Sequence, residues 1–377
     1  MSVNDGDTIH VRLAGSIKTV RLSSIQAMEQ SVYSPYPSKR RGQCHALEAT
    51  ARLERIIRAG HGRVRLSAQD PRSRAGYRLR RSVAVRIGGR WRDVGLMLIR
   101  EGHALWMSGT TEDRWNRAYN AAEQRARLDG IGLWNPEHCG RGPAQDMPLR
   151  LWVSSDPVGK DTGDVNAEFI KIQNQGSAAV SLARWWVRDS MLRRFTFPAG
   201  AVLAPGHTVT VHVGHGTPSG ETFYWGLGAP AFENSNGDGR NLGDGGYLFD
   251  PQGDLRAAMV YPCVVACSDP NVGAVQVTAH PRRPESMTVR NVSDHPVDLY
   301  GYELALPGST YDFGDWPALA PGQAVQVDVN GDPAGDTVQR RSWGLGRLIL
   351  PDPGGVVRLQ TFTDITLSCD AWGSGSC

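Results

Sequence analysis

Four short motifs in the N-terminal part of the chain combine carboxylates with arginines. They are Asp5-Gly6-Asp7-Thr8, Arg21-Leu22, an isolated Glu29, and Tyr77-Arg78. A guanidinium fork meets two phosphate oxygens at once, and a carboxylate accepts a proton or ligates a hard cation. Phosphodiester hydrolysis needs both groups, because water must be positioned and negative charge builds on the pentacoordinate phosphorus. The residue types therefore predict chemistry on a phosphodiester.

Each of these residues also has a simpler interpretation. Arg78 lies among other arginines, all of which can form the solvated face of a basic strand: Arg74, Arg80 and Arg81. We select Arg78 because it precedes an alternating apolar strand. Arg21 lies within such a strand, where an uncharged residue is the ordinary choice. Glu29 can be a surface acid in a loop.

Apolar periodicity predicts the elements that position these residues. Alternation from Thr8 to Ile25, broken at Gly15, predicts a β-hairpin. Further strands are predicted at 64–66 and 83–87, and helices at 46–57, 94–105 and 113–128. After Pro143 helical periodicity gives way to Gly, Pro and short β-type runs. This change predicts a domain boundary near residue 145.

The order of the motifs resembles the staphylococcal nuclease family over residues 3 to 135. The similarity continues through Leu98–Ala104 and Ala122–Trp134, which resemble a helix of that family and its Gly-Leu-Trp ending. The resemblance implies an OB-type α+β barrel with three helices. It also implies that Arg21 and Arg78 clamp the phosphate oxygens, while Glu29 orients or deprotonates the attacking water. Only Met1 and Ser2 precede the first motif, so we expect the first barrel strand to be missing.

The same resemblance implies that Asp7 ligates Ca2+, with another divalent metal as the open alternative. The second metal-binding aspartate of the family is Gln26 here, and the proline before the glutamate is Met28. A neutral amide is a weaker calcium ligand than a carboxylate. We therefore expect Gln26 to be a weak ligand, and activity to be weak, metal-altered or absent.

The C-terminal part repeats itself. Both copies carry Asn, Leu-Ala-Pro-Gly and Trp-Gly-Leu-Gly motifs in the same order, at Asn174, Leu203–Gly206 and Trp225–Gly228 and again at Asn291, Leu319–Gly322 and Trp343–Gly346. Alternating valines between turn residues predict two all-β sandwiches. The first copy resembles lamin tail domains, which have an immunoglobulin-like fold, and the second resembles them loosely. The resemblance implies binding or positioning modules, and their ligand or surface stays open.

The net charge of the N-terminal part indicates what kind of partner the protein binds. Residues 1 to 145 hold 25 Lys and Arg against 13 Asp and Glu, a net charge of +12, while the remainder holds 16 against 25. A basic front half favours a polyanionic partner.

Six cysteines without a CxxC motif predict disulfides, which we expect to be Cys44–Cys139, Cys263–Cys267 and Cys369–Cys377. No membrane span or signal peptide is predicted, so a secreted or cell-surface protein implies a truncated start.

The histidines predict no alternative site, because His103 and His138 are isolated in the sequence, and His212 and His215 lie in a strand and its following turn.

These observations predict a multidomain protein with domains at 1–142, 146–268 and 270–377, in which an α+β OB-fold barrel with three helices precedes two immunoglobulin-like sandwiches. The predicted function is cleavage of DNA or RNA with little sequence specificity, helped by bases stacking on Tyr33 or Tyr36. The main alternative is a catalytically inactive nuclease fold that binds nucleic acid or serves as an extracellular scaffold. Gln26 and Met28 favour that alternative. A third alternative, a structural cell-surface protein, is disfavoured by the basic front half.

Overall fold

The computed structural model describes residues 1–30, 43–109, 111–136, 138–139, 147–155, 164–234, 242–314 and 316–377. The chain divides into two compact units, one formed by Met1–Ser155 with Glu168–Val265 and the other by Asp156–Ala167 with Ala266–Cys377. The first unit therefore contains both the N-terminal domain and the first sandwich. Within the described residues, no helix is long and apolar enough to cross a membrane.

The N-terminal domain combines a curved sheet with helices. Its strands are β1 (Ser2–Asp5), β2 (Thr8–Leu13), β3 (Ser16–Leu22), β4 (Ile25–Gln26), β5 (Val64–Ser67), β6 (Arg74–Ala75), β7 (Arg78–Ile87), β8 (Arg90–Asp93) and β9 (Leu105–Trp106). Its α-helices in the described residues are α1 (Ala46–Ala59), α2 (Val94–Arg100) and α3 (Asn116–Leu128). The sheet runs β1-β2-β3-β7-β5, and only the β3–β7 pair is parallel.

Two features of this domain differ from the prediction. Ser2–Asp5 forms a short strand paired with β2, where no strand was expected before the Asp-Gly-Asp turn. The second helix ends at Arg100 rather than Leu105, because Gly102 adopts a φ of +66° and the chain then enters β9. A Cβ atom at Gly102 would lie 2.2 Å from the carbonyl oxygen of Ile131, so this turn requires glycine.

The first sandwich and the C-terminal unit share one strand arrangement. The sandwich has strands β10 (Leu149–Ser154), β11 (Phe169–Asn174), β12 (Val180–Ser181), β13 (Trp186–Arg188), β14 (Arg194–Thr196), β15 (Val202–Leu203), β16 (Thr208–His212), β17 (Thr222–Tyr224), β18 (Asp244–Phe249) and β19 (Leu255–Tyr261). The C-terminal unit has β20 (Val275–His280), β21 (Ser286–Asn291), β22 (Tyr302–Leu306), β23 (Ser309–Asp312), β24 (Ala324–Asp328), β25 (Arg340–Ser342), β26 (Gly354–Thr361) and β27 (Thr366–Gly373).

The sequence repeat corresponds to a repeat of structure. The first sandwich has sheets β10-β11-β16-β17 and β14-β13-β18-β19, and the C-terminal unit has β20-β21-β24-β25 and β23-β22-β26-β27, with the last pair of the first sheet parallel in each copy. Buried Asn174 and Asn291 each donate to the carbonyl of the leucine in their Leu-Ala-Pro-Gly turn. The repeated asparagine therefore fastens the same turn in both copies.

The N-terminal domain and the first sandwich share one hydrophobic core. Trp186, Tyr247, Phe249, Leu255 and Val260 of the sandwich belong to the same buried cluster as the barrel and helix residues of the N-terminal domain. Polar contacts accompany this packing. Gln124 of α3 accepts from the backbone nitrogens of residues 264 and 265, and Arg127 donates to the carbonyl of Ala258. The two regions therefore form one compact unit.

A buried carboxyl lies in this shared core. Glu123 is fully buried and accepts hydrogen bonds from the backbone nitrogen of Trp106 and from the hydroxyl of Tyr247, each at 2.9 Å. Burial raises the pKa of Glu123 to about 8, against the opposing effect of these two donors. The acid is therefore protonated in the folded protein at neutral pH and ionised in the unfolded chain.

This shift predicts how stability depends on pH. Because the folded protein holds a proton that the unfolded chain releases near its ordinary pKa of 4.5, the free energy of unfolding should fall as pH rises toward 8. The slope from this group is at most about 1.4 kcal/mol per pH unit. Glu123→Gln, which mimics the protonated acid, should lose that slope in urea unfolding, while the exposed Glu54→Gln should keep it. An unchanged slope in Glu123→Gln would show that the acid is ionised in the fold.

Candidate active site

The sheet places three predicted site segments side by side. Thr8 of β2 lies opposite Arg21 of β3, and Arg21 lies beside Arg80 of β7. Neighbours across a ladder share one face of the sheet, and Arg78 shares it as well because it lies two residues before Arg80. The turn before β2, strand β3 and strand β7 thus contribute residues to one face. Arg78 donates to the hydroxyl of Thr8 at 3.3 Å.

Asp7 is at the centre of this face. Its carboxylate is buried, lies 2.8 Å from Nη1 of Arg21, and accepts from the hydroxyl of Thr8 at 3.0 Å and the backbone nitrogen of Ala27 at 2.9 Å. Burial raises the pKa of Asp7 to about 6, although the Arg21 charge lowers it. Both carboxylate oxygens of Asp7 are therefore occupied by donors.

Gln26 connects Asp7 with Glu29. Nη2 of Arg21 donates to Oε1 of Gln26 at 2.6 Å, and since arginine is only a donor this contact fixes the amide orientation. The amide nitrogen therefore faces the acids, 3.1 Å from Oε1 of Glu29 and 3.5 Å from Oδ2 of Asp7. An NH2 group therefore lies between the two carboxylates.

The side-chain atoms of Asp7 and Gln26 do not provide the ligands that a calcium ion needs. Calcium takes six to eight oxygen ligands. Here both oxygens of Asp7 accept hydrogen bonds, and Gln26 directs nitrogen rather than oxygen toward the acids. The predicted ligands Asp7 and Gln26 lie together, but in this arrangement they leave no oxygen free for the ion.

Glu29 is half-buried and held at its backbone. Its nitrogen donates to Oε1 of Gln43 and its carbonyl accepts from the nitrogen of Gln43, both at 2.8 Å. Met28 is buried, and its sulfur lies 3.9 Å from Nη1 of the buried Arg188 in the first sandwich. Met28 therefore packs into the core that the N-terminal domain shares with the first sandwich.

The structure brings a further arginine to this face, one that the sequence analysis treated only as a solvated alternative. The pKa of Arg80 is lowered by burial and then by the positive charges of Arg21 and Arg78, with Glu112 opposing. Three guanidinium groups thus repel one another on one surface. Arg81 lies on the opposite face and donates to the backbone carbonyls of residues 71 and 73. Alternation along β7 was the signal that separates Arg78 and Arg80 from Arg81.

One exposed aromatic residue directly precedes the site residue Arg78. Tyr33 and Tyr36 lie outside the described residues. Tyr77, at the turn between β6 and β7, has 82% of its surface exposed and directly precedes Arg78. An exposed aromatic ring next to an arginine is a common arrangement in proteins that bind single-stranded nucleic acid.

His103 and His138, which are isolated in the sequence, both contact His45 in the structure. Nδ1 of His45 lies 2.7 Å from Nε2 of His138, and Nε2 of His45 lies 2.8 Å from Nδ1 of His103. Residues separated by 58 and 93 positions in the sequence meet here, which no local motif could indicate. Burial first, and then the charges of the neighbouring His103 and His138, lower the pKa of His45 to about 3.

The predicted disulfides Cys44–Cys139 and Cys369–Cys377 are confirmed, and Cys263 and Cys267 are also disulfide-bonded.

Two protein families match the chain. The family described as Staphylococcal nuclease homologue matches residues 19–136, and the Lamin Tail Domain family matches residues 153–263. A search of curated proteins finds no match. The first match covers the residues from Arg21 to Arg80 that converge on the site, and the second covers the first sandwich. The chain therefore contains a staphylococcal nuclease-like domain followed by a lamin tail domain.

Proposed function

We propose that the protein is a nuclease that hydrolyses phosphodiester bonds of DNA or RNA with little sequence specificity. The observation that carries this proposal is the single hydrogen-bonded network of Asp7, Arg21, Gln26 and Glu29, with Arg78 attached to it through Thr8. Segments distant in sequence supply an acid and several arginines to one face of the domain. The net charge of +12 in residues 1 to 145 favours a polyanionic substrate.

In this proposal, Arg78 and Arg80 bind the nonbridging phosphate oxygens, and Arg21 holds Asp7 and Gln26 in place. Glu29 accepts a proton from the attacking water as the new P–O bond forms. The bond to the leaving oxygen then breaks, and solvent protonates that oxygen. Charge on the phosphorus oxygens grows during this step, so preorganised guanidinium groups stabilise the transition state more than the substrate. No step is assigned to calcium, because both carboxylate oxygens of Asp7 accept hydrogen bonds and Gln26 directs its amide nitrogen toward the acids.

One observation favours the alternative function, a nuclease fold that binds nucleic acid without cutting it. The amide nitrogen of Gln26 lies between the carboxylates of Asp7 and Glu29 and satisfies both without a metal. A site of this kind keeps its arginines for phosphate binding. In this alternative the protein is a binding or scaffolding module.

The rest of the chain fits an extracellular role for either function. We propose a secreted or cell-surface location, supported by the disulfides and the absence of free cysteines among the described residues. The C-terminal unit is proposed to be a second, divergent lamin tail domain, since it repeats the strand order of the first. The two domains are proposed to position the nuclease on a ligand or surface that they bind.

Substitution of the arginines on this face tests the proposed nuclease activity. Cleavage of single-stranded and duplex DNA is measured with calcium, magnesium, manganese or EDTA. Arg78→Ala and Arg80→Ala are each expected to reduce cleavage about 10²- to 10³-fold, because each removes a preorganised charge from the transition state. Arg74→Ala is the matched control, because Arg74 lies in the same hairpin and is exposed.

The outcomes separate the two functions. Cutting by the wild-type protein that is lost in Arg78→Ala and Arg80→Ala, but kept in Arg74→Ala, supports the nuclease. If the wild-type protein binds DNA and never cuts it with any metal, the binding module is the correct function. Equal loss in all three variants would mean that net charge rather than this face carries the effect.

A further inference from the structure

A second cluster of chemically active side chains lies at the start of α1, apart from the proposed active site. His45 is the residue before α1 and is buried, while Glu48 follows in the first turn of the helix and is exposed. His138, also exposed, follows the last turn of the domain. One nitrogen of each histidine and one oxygen of Glu48 all lie within 4.8 Å of one another.

The spacing of these atoms is close to that of a metal site. A tetrahedral Zn2+ with bonds of about 2.0 to 2.2 Å holds its ligand atoms roughly 3.3 Å apart. Nδ1 of His45 and Nε2 of His138 are 2.7 Å apart, so the exposed His138 ring needs to withdraw by only about 0.6 Å. The Glu48 side chain is free in solvent to rotate inward, since it is exposed at the helix start.

His103 gives the buried ligand an orientation. Its Nδ1 lies 2.8 Å from Nε2 of His45, on the side of the ring opposite His138. A hydrogen bond there, donated by Nε2 of His45, leaves the lone pair of Nδ1 directed at His138. Histidine ligands in metal sites almost always make a second hydrogen bond of this kind, which fixes their tautomer.

A disulfide holds the two histidine ligands together. Cys44 and Cys139 are bonded, and they immediately precede His45 and follow His138. His45 also has a φ of +71°, a left-handed conformation that is uncommon for a residue other than glycine. Such a conformation persists where the surroundings fix it, and functional sites are where it concentrates. The covalent link therefore preorganises the pair and reduces the cost of ordering it around an ion.

We propose that His45, His138 and Glu48 form a site for a divalent transition cation of the zinc class, with His103 as the positioning residue of His45. Two imidazole nitrogens and one carboxylate oxygen suit zinc, whereas calcium takes oxygen ligands alone. The ion replaces the proton shared by the His45 and His138 nitrogens, and that proton moves to Nδ1 of His138 or to water. Three protein ligands leave a fourth position for water, since His138 and Glu48 lie at the surface.

The test uses the full-length protein after treatment with EDTA and removal of the chelator. Zn2+ is titrated by calorimetry, and Co2+ is followed by its visible absorption, which reports tetrahedral coordination. His138→Asn and Glu48→Gln remove exposed ligands, and His103→Asn removes the positioning residue. His207→Asn is the control, because His207 forms an exposed pair with Glu221 but has no second histidine.

We expect the wild-type protein to bind one Zn2+ at this site and Ca2+ to leave that binding unchanged. His103→Asn should weaken zinc affinity about 10- to 100-fold, and His138→Asn should weaken it at least as much. His207→Asn should bind as the wild type does. Circular dichroism checks each fold, and if His138→Asn is misfolded, Glu48→Gln decides. No zinc binding by the wild type, or equal affinity in the folded ligand variants, overturns the proposal and leaves three histidines joined by hydrogen bonds alone.

Discussion

Replacing Glu29 with glutamine is expected to lower the rate of DNA cleavage about 10²- to 10⁴-fold, the usual contribution of a general base. Glutamine keeps the size of the side chain, and its amide oxygen can still accept the hydrogen bond from Gln26 that now reaches Oε1 of Glu29. It cannot accept a proton from water. DNA binding should be unchanged or tighter, because a negative charge beside the phosphate site is removed.

The two effects must be measured on the same substrate. Single-turnover cleavage gives the chemical step, and fluorescence anisotropy of labelled DNA gives the affinity. Glu54→Gln is the matched control, since it makes the same change at an exposed position of α1. Cleavage by Glu29→Gln at the wild-type rate would remove Glu29 from the mechanism. Parallel loss of cleavage and binding would assign it a structural role.

That these residues lie close together could be predicted from the sequence, because they lie in short ordered motifs. Asp7 lies in a turn and Arg21 lies in a strand, and the direction of the Arg21 side chain follows from the strand period of two. The structure places Asp7, Arg21, Gln26, Glu29 and Arg78 in one network, while their catalytic roles stay predictions. The sequence also predicted Gln26 to be a weak metal ligand, but it could not place the amide nitrogen between the two acids. That placement depends on the hydrogen bond from Arg21.

The histidine cluster could not be predicted, because it depends on tertiary contacts. His103 and His138 come from segments far from His45 in sequence, and neither lies in a metal-binding motif. Their approach depends on where α2 ends and on the Cys44–Cys139 link. The disulfide was predicted, yet the adjacent histidines were not connected with it. A predicted disulfide therefore also predicts that the residues next to its cysteines, here His45 and His138, lie close together.

The core that the N-terminal domain shares with the first sandwich could not be predicted from the sequence either. Apolar periodicity identifies which face of a strand is buried, but it does not identify what covers that face. Tyr247 and Phe249 alternate in β18 as in any sandwich strand, and the repeated copy predicted independent domains. The Glu123 carboxyl, which lies on a mostly polar helix, gave the opposite signal of a solvated residue. Its burial follows only from the packing of α3 against β19 and the Tyr247 hydroxyl.

This shared core leads to the second large expected effect, on stability. Tyr247 is completely buried, donates to Glu123, and packs its ring 6.2 Å from that of Trp134 in the N-terminal domain. Tyr247→Ala leaves a cavity at the junction and should lower the free energy of unfolding by about 3 to 5 kcal/mol. In a unit of this size the melting temperature should fall by roughly 10 °C. Calorimetry of the full-length protein measures it.

Tyr302→Ala provides the matched control, because Tyr302 is also buried and donates to a carboxylate, that of Asp269, but lies in the C-terminal unit. If the nuclease-like domain and the first lamin tail domain fold as one body, Tyr247→Ala lowers the melting of both together, and Tyr302→Ala lowers only the transition of the C-terminal unit. Limited proteolysis during heating identifies which segments unfold. A nuclease-like domain that still melts at its wild-type temperature in Tyr247→Ala would show two independent domains in contact. Cooperative melting would mean that the lamin tail domain is an integral part of the fold that carries Glu29, because Arg188 of that domain contacts the residue before it.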